Sequence, residues 1–72
     1  MHRRFEFVNG SSAKSWEVTV ADRVVIVRFG RLGTDGQSRI KSFPDAESAQ
    51  KHVDKLIGEK LGKGYVECTP AR

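Results

Sequence analysis

Residues Val27 to Lys41 read VRFGRLGTDGQSRIK, with Gly30, Gly33 and Gly36 at every third position and Arg28, Arg31, Arg39 and Lys41 around them. Two readings compete: a loop that cradles phosphate, or a hairpin turn that is basic. A dinucleotide fingerprint requires G-x-G-x-x-G between a strand and a helix, and a Walker loop requires G-x-x-x-x-G-K-[ST] in the same setting. Neither pattern is present, and the glycines sit between two expected antiparallel strands, so no helix N-terminus follows to receive a phosphate. Gly33 and Gly36 are therefore turn residues, with "GTDG" as the hairpin connection in which Asp and Gly supply positive φ.

The strands extend outward from this turn. Val24 to Phe29 is almost wholly apolar and β-branched for four residues, which predicts a central strand covered on both faces. Gln37 to Phe43 is the strand after the turn. Ser15 to Ala21 sets Trp16, Val18 and Val20 on one face against Glu17 and Thr19, and Asp22-Arg23 is a tight turn. Arg3 to Asn9 alternates Phe5 and Phe7 with Glu6, and "NGSSAKS" reads as loop. Trp16 belongs to the core.

After Pro44 the period changes. Asp45 is suited to an N-cap, and Ala46, Ala49, Val53, Leu56, Ile57 and Leu61 form one apolar stripe at helical spacing. Glu47–Lys51, Lys55–Glu59 and Glu59–Lys63 are i,i+4 pairs, and Gly62 or Gly64 fits the C-terminal cap. Gly58, inside the helix, costs about 1 kcal/mol relative to Ala. Tyr65 and Val66 should tuck back against the sheet. The expected fold is α+β, a small antiparallel meander of about four strands with one amphipathic C-terminal helix on one face.

The 72 residues suffice for a single domain over 1–72 with its core in about 3–67, because a chain of this size buries only roughly 60% of its unfolded surface. Hydrophobic content of 38% with 31% charged residues is ordinary for a globular domain. No apolar run approaches the roughly 18 residues of a membrane span, and "MHRRFEFVNG" lacks a signal-peptide core, so a cytoplasmic, monomeric protein is expected. The lone Cys68 has no disulfide partner and reads as a small hydrophobe. His2 and His52 match no metal spacing, so no cofactor is expected. Ser11 and Ser12 have no base and acid to complete a triad, and an enzyme is not expected.

The net charge of +4 is unevenly placed. Met1 to Asp22 and Ser42 to Arg72 are each neutral, whereas Arg23 to Lys41 holds five cations against Asp35 alone. The whole excess lies in the glycine-bearing segment. Taken singly, hairpin arginines are ordinarily solvated surface and Phe29 an ordinary core residue. Together they offer a planar ring beside guanidinium groups, the components of stacking plus phosphate contact. Gly30 stands in strand, where glycine marks a bulge or a close backbone approach. Pairing Leu32 with Gln37 would set Gly30 opposite Arg39 and Arg28 opposite Lys41, with Phe29 and Arg31 together on the other face.

"VRFGRLGTDGQ", with "FEFVNGSSAKSWEV" before it and "LGKGYVE" after the helix, resembles the WGR domain over about Arg3 to Glu67. That module, named for a Trp-Gly-Arg signature, occurs in poly(ADP-ribose) polymerases and in bacterial proteins, some described as molybdate-metabolism regulators. The resemblance implies an antiparallel sheet with one packed helix, and binding to the ends of broken DNA. It implies that Phe29 packs near a 5′-terminal nucleotide, that Arg31 contacts DNA and neighbouring domains, that Arg39 approaches the backbone, and that Gly30 permits close approach. The signature tryptophan is Phe29 here, a smaller ring with no indole N–H. The expected function is a non-enzymatic nucleic-acid-binding module, DNA rather than RNA, using Arg28, Phe29, Gly30, Arg31, Arg39 and Lys41. A protein-interaction or interdomain module is the alternative.

Overall fold

The computed structural model describes residues 1–69. In chain order it contains β1 (His2–Asn9), β2 (Ser12–Ala21), β3 (Val24–Arg31), β4 (Gln37–Ser42), α1 (Ala46–Gly62) and β5 (Val66–Glu67). The sheet is antiparallel throughout, in the order β4-β3-β2-β1-β5. The four expected strands and the helix are present, and a fifth strand of two residues closes the other edge.

Alternation in β1 and β2 sends Phe5, Trp16 and Val18 to one face, where Val25 joins them from β3 and Ala49, Val53 and Ile57 close the core from the helix. Trp16 is only 4% exposed, a core residue as its strand position requires. Ala46 and Leu61, at the ends of the expected stripe, reach past the sheet and are exposed. The expectation that β3 is covered on both faces is not met. Its far face carries Val24 and Ile26, which stay half-buried because their paired neighbours, including Ile40 beside Ile26, shield them within the sheet. A continuous apolar run records both kinds of shelter, helix on one side and cross-strand neighbours on the other.

The first two turns of the meander are tight. Gly10 takes φ 60° between the paired Asn9 and Ser12, so β2 begins at Ser12 rather than Ser15. Asp22 takes φ 57° between the paired Ala21 and Val24. The Asp45 carboxylate accepts from the Ser48 N–H at 2.7 Å, which caps the helix and holds that carboxyl below its usual range. Of the three expected side-chain pairs the structure forms Glu47–Lys51, at 3.4 Å.

Gly64, at φ 101°, ends the helix. Its N–H donates to Leu61 O at 3.1 Å and that of Tyr65 donates to Lys60 O at 3.0 Å, the two bonds of a Schellman motif. The reversal lays Tyr65 on Phe7, ring centroids 5.4 Å apart, and delivers Val66 and Glu67 to the β1 edge. Tyr65 thus tucks back through its ring. Val66 does so through its backbone alone, leaving its side chain exposed.

Candidate nucleic-acid interface

The β3–β4 turn is wider than the sequence suggests. The last pair is Phe29 with Gln37, so Arg28 faces Ser38, Val27 faces Arg39 and Val25 faces Lys41. The expected pairs Leu32–Gln37, Gly30–Arg39 and Arg28–Lys41 are not formed. On its other edge β3 stays extended past this point: Gly30 and Arg31 are in register with Ser15 and Lys14, and the Ala13 carbonyl accepts from the Leu32 N–H at 3.0 Å.

The loop closes on itself instead. The Arg31 carbonyl accepts from the Thr34 N–H at 3.1 Å and the Thr34 hydroxyl at 2.7 Å, and the Arg28 Nε–H donates to the Asp35 carbonyl at 2.7 Å. Gly30 and Gly36 meet where the chain crosses back: a Cβ on Gly30 would stand 2.7 Å from the Gly36 Cα, and one on Gly36 would strike the Phe29 carbonyl. The close approach that Gly30 permits is that of its own loop.

This register decides which side chains gather. Phe29, Arg31, Arg39 and Lys41 share the face on which the helix packs, whereas Arg28 lies on the opposite face. Because the helix covers the sheet only in part, a cleft of about 880 Å³ remains between its C-terminal half and β2, β3 and β4. Trp16, Val25, Val27 and Phe29 line it, as do Lys14, Arg31, Arg39, Lys41 and Lys60, with Glu59 as the lone carboxylate among the described residues. Of the six residues expected from sequence, Arg28 alone is left out of it.

Three of the five cations of this cleft rest on rings. The Arg39 guanidinium is 5.7 Å from the Phe29 centroid, Lys41 Nζ is 5.2 Å from that of Phe43, and Lys60 Nζ lies 5.6 Å from Trp16 and 5.2 Å from Tyr65. The guanidinium at Phe29 is that of Arg39, not that of its strand neighbour Arg31. Among the described residues, none of these five cations has an ion-pair partner. Burial pushes the Lys60 ammonium below its usual range, and Lys63 and Lys14 push the same way against Glu59.

Sequence reasoning missed Lys14 and Lys60. Lys14 is two residues before Trp16 and so shares its face, a signal that period-two counting contains. Lys60 falls three residues after Ile57, on the flank of the buried stripe, and looked like one more charge of a neutral segment.

Three comparisons bear on this site. The WGR domain model matches residues 1–72. The chain belongs to the WGR family. YehF of Escherichia coli is 45% identical over 65 residues, covering 90% of this chain and 24% of YehF. YfeS of the same organism is 33% identical over 67 residues, covering 93% and 28%. The chain therefore spans about a quarter of the length of these curated relatives. A crystal structure of a Bacteroides fragilis protein superposes with a TM-score of 0.91 at 48% identity, over 94% of this chain and 19% of that one. WGR domains are non-catalytic modules, known in poly(ADP-ribose) polymerases for binding nucleic acid.

Among the described residues of this WGR domain, no three His, Cys, Asp or Glu side chains gather where they could hold a metal ion, and no helix is long and apolar enough to cross a membrane. The chemistry the cleft offers is charge and aromatic surface.

Proposed function

We propose that this WGR domain binds DNA, at strand ends or along the backbone, through the cleft that Phe29, Arg31, Arg39 and Lys41 line. The observation that carries the reading is the gathering of cations without carboxylate partners over an aromatic floor. An unpaired cation keeps its full field for a ligand, and a ring beneath it limits the rotamers that binding must freeze. Phosphate contacts supply affinity, Phe29 packs on a terminal sugar or base, and little sequence is read. Arg28, on the other face, acts by bracing the loop.

Binding should weaken steeply with salt. If about three phosphates are neutralised, log K against log salt has a slope near −2.7 on duplex DNA. The test is a titration of blunt duplexes with and without a 5′-phosphate, of single strands and of RNA, at two salt levels, with wild type and Arg31→Ala. Wild-type affinity no better than that of a neutral control domain removes this reading. It would leave the interaction-module reading, which the greater length of the relatives favours: a companion segment bearing carboxylates would then occupy the same cleft.

A further inference from the structure

We propose that the cleft takes a single DNA strand in preference to an intact duplex, gripped between Lys60 on the helix and Arg39 and Lys41 on β4. This rests on the DNA-binding reading above and names the form of DNA and a residue that the reading lacks. Lys60 contributes from a different element than the hairpin cations, so positive charge lines two walls of one concavity. A duplex carries its phosphates on the outside of a stiff cylinder and offers them to a convex or flat surface. The volume here, about 880 Å³, is that of a ligand-sized cleft open to solvent, room for a few nucleotides of one strand. A strand lying in it brings its backbone against both walls and its bases toward Phe29 and Tyr65, the arrangement of single-strand grooves.

No ion pair among the described residues accounts for the place of Lys60. A lysine on a helix flank ordinarily extends its ammonium into water. Here the ammonium sits between Trp16 and Tyr65 with no carboxylate partner among the described residues, and it bears a desolvation cost that lowers its proton affinity. A phosphate entering the cleft would relieve that cost. Charge separated from its counter-ion and held by two rings is in place for an anion that arrives later.

The experiment is a fluorescence titration of the protein with three probes: a blunt hairpin duplex, the same hairpin with a short single-stranded overhang, and an oligothymidylate. Wild type, Arg31→Ala, Lys60→Met and Lys60→Arg are compared. Methionine keeps the unbranched stem and favourable contacts to rings, and thermal melting verifies that it folds. The overhang and the oligothymidylate should bind about ten-fold tighter than the blunt hairpin. Lys60→Met should remove most of that preference and reduce the single-strand salt slope by about 0.7, the value of one phosphate. Lys60→Arg should retain both. Wild-type affinity should also begin to fall at a lower alkaline pH than that of Lys60→Arg, because the Lys60 ammonium gives up its proton more readily than an ordinary lysine, whereas the other cleft lysines titrate in both proteins. Equal affinity for blunt and overhanging probes overturns the proposal. So does a Lys60→Met variant with unchanged preference and slope while Arg31→Ala weakens every probe, and in that case the DNA-binding reading stands. Wild type that binds none of the probes ends both.

Discussion

The β1 edge and the cleft contain the same components and use them in opposite ways. At the edge, Arg3 lies over the Phe5 ring, 5.4 Å from its centroid, much as Arg39 lies over Phe29. Yet Arg3 grips Glu67 with two bonds, Nε–H to Oε2 at 2.8 Å and Nη2–H to Oε1 at 2.7 Å. Its neighbour Arg4 donates to Glu17 at 2.7 Å and to Glu6 at 3.2 Å. Those cations are neutralised within the protein, and the Arg3 pair clamps β5 onto β1. In the cleft the lone carboxylate, Glu59, pairs with none of the cations among the described residues, and they remain available. A count of arginines and lysines does not separate the regions; partnership does.

The comparison breaks most directly by exchanging the two conditions. Arg39→Glu puts a carboxylate among the cleft cations, removing one charged contact and adding a repulsion. At about 1.5 kcal/mol for each, binding should weaken by roughly 100-fold. Arg4→Ala, which removes a charge of the same sign from the paired region, should change DNA affinity by less than about two-fold. It should lower stability by about 1 kcal/mol, since Arg4 joins two carboxylates that are themselves partly screened by water. Titration and thermal melting of both variants test the contrast, and comparable losses of affinity would erase it.

A smaller effect comes from disturbing the wall without touching a charge. Gly36→Ala forces a side chain onto a residue at φ 69° and against the Phe29 carbonyl. It should cost about 2 kcal/mol and weaken binding through displacement of Arg39, while leaving the β1 edge intact. Backbone amide exchange would show protection lost in residues 29–39 and kept in β1 and β5.

Much of this was readable from residues. Trp16, Val18 and Val20 alternate cleanly because one sheet face is buried and the other is not, and Ala49, Val53 and Ile57 repeat at helical spacing because they meet that face. Asp45 announced the helix start for the same local reason that it caps it. The β3–β4 register was not readable, because it depends on contacts within the loop, the Gly30–Gly36 crossing and the Arg28 and Thr34 hydrogen bonds, that no strand period records. β5 was invisible because two residues carry no period. Of the residues that line the proposed cleft, Phe29, Arg31, Arg39 and Lys41 were legible. The register brought Arg39 and Lys41 onto the face of Phe29 while Arg28 stayed on the other, and Lys60 joined only because the helix crosses that end of the sheet. Contacts between distant segments leave no local mark.

Acid should separate the regions by a different route. The Arg3 guanidinium, with the Thr69 hydroxyl, holds the Glu67 carboxyl at about 2, against an ordinary 4.5. A depressed carboxyl pKa means that the unfolded chain takes up a proton that the folded one refuses, so the contribution is complete above pH 4.5 and disappears as pH falls toward 2. Acid titration followed by circular dichroism should show Glu67→Gln unfolding with a weaker pH dependence over that window than wild type. At neutral pH the same variant should bind DNA as wild type does, because the cleft contains no part of the Arg3–Glu67 pair.

The smallest change sharpens the comparison from the helix that both regions share. Gly58 sits within α1, is exposed, and has nothing within 4 Å of where a Cβ would be. Its backbone is helical, so Gly58→Ala restricts the unfolded chain without straining the folded one and should add about 1 kcal/mol of stability, a melting temperature higher by roughly 4–8 °C. Because Ile57 and Lys60 lie on either side of it, stiffening here acts equally on the core contact and on the cation above Trp16 and Tyr65. If Lys60 is held in place by its rings, affinity should stay within about two-fold of wild type as stability rises. Affinity that rose together with stability would mean that the helix end frays in the free protein, and that its cation is ordered only when a ligand arrives.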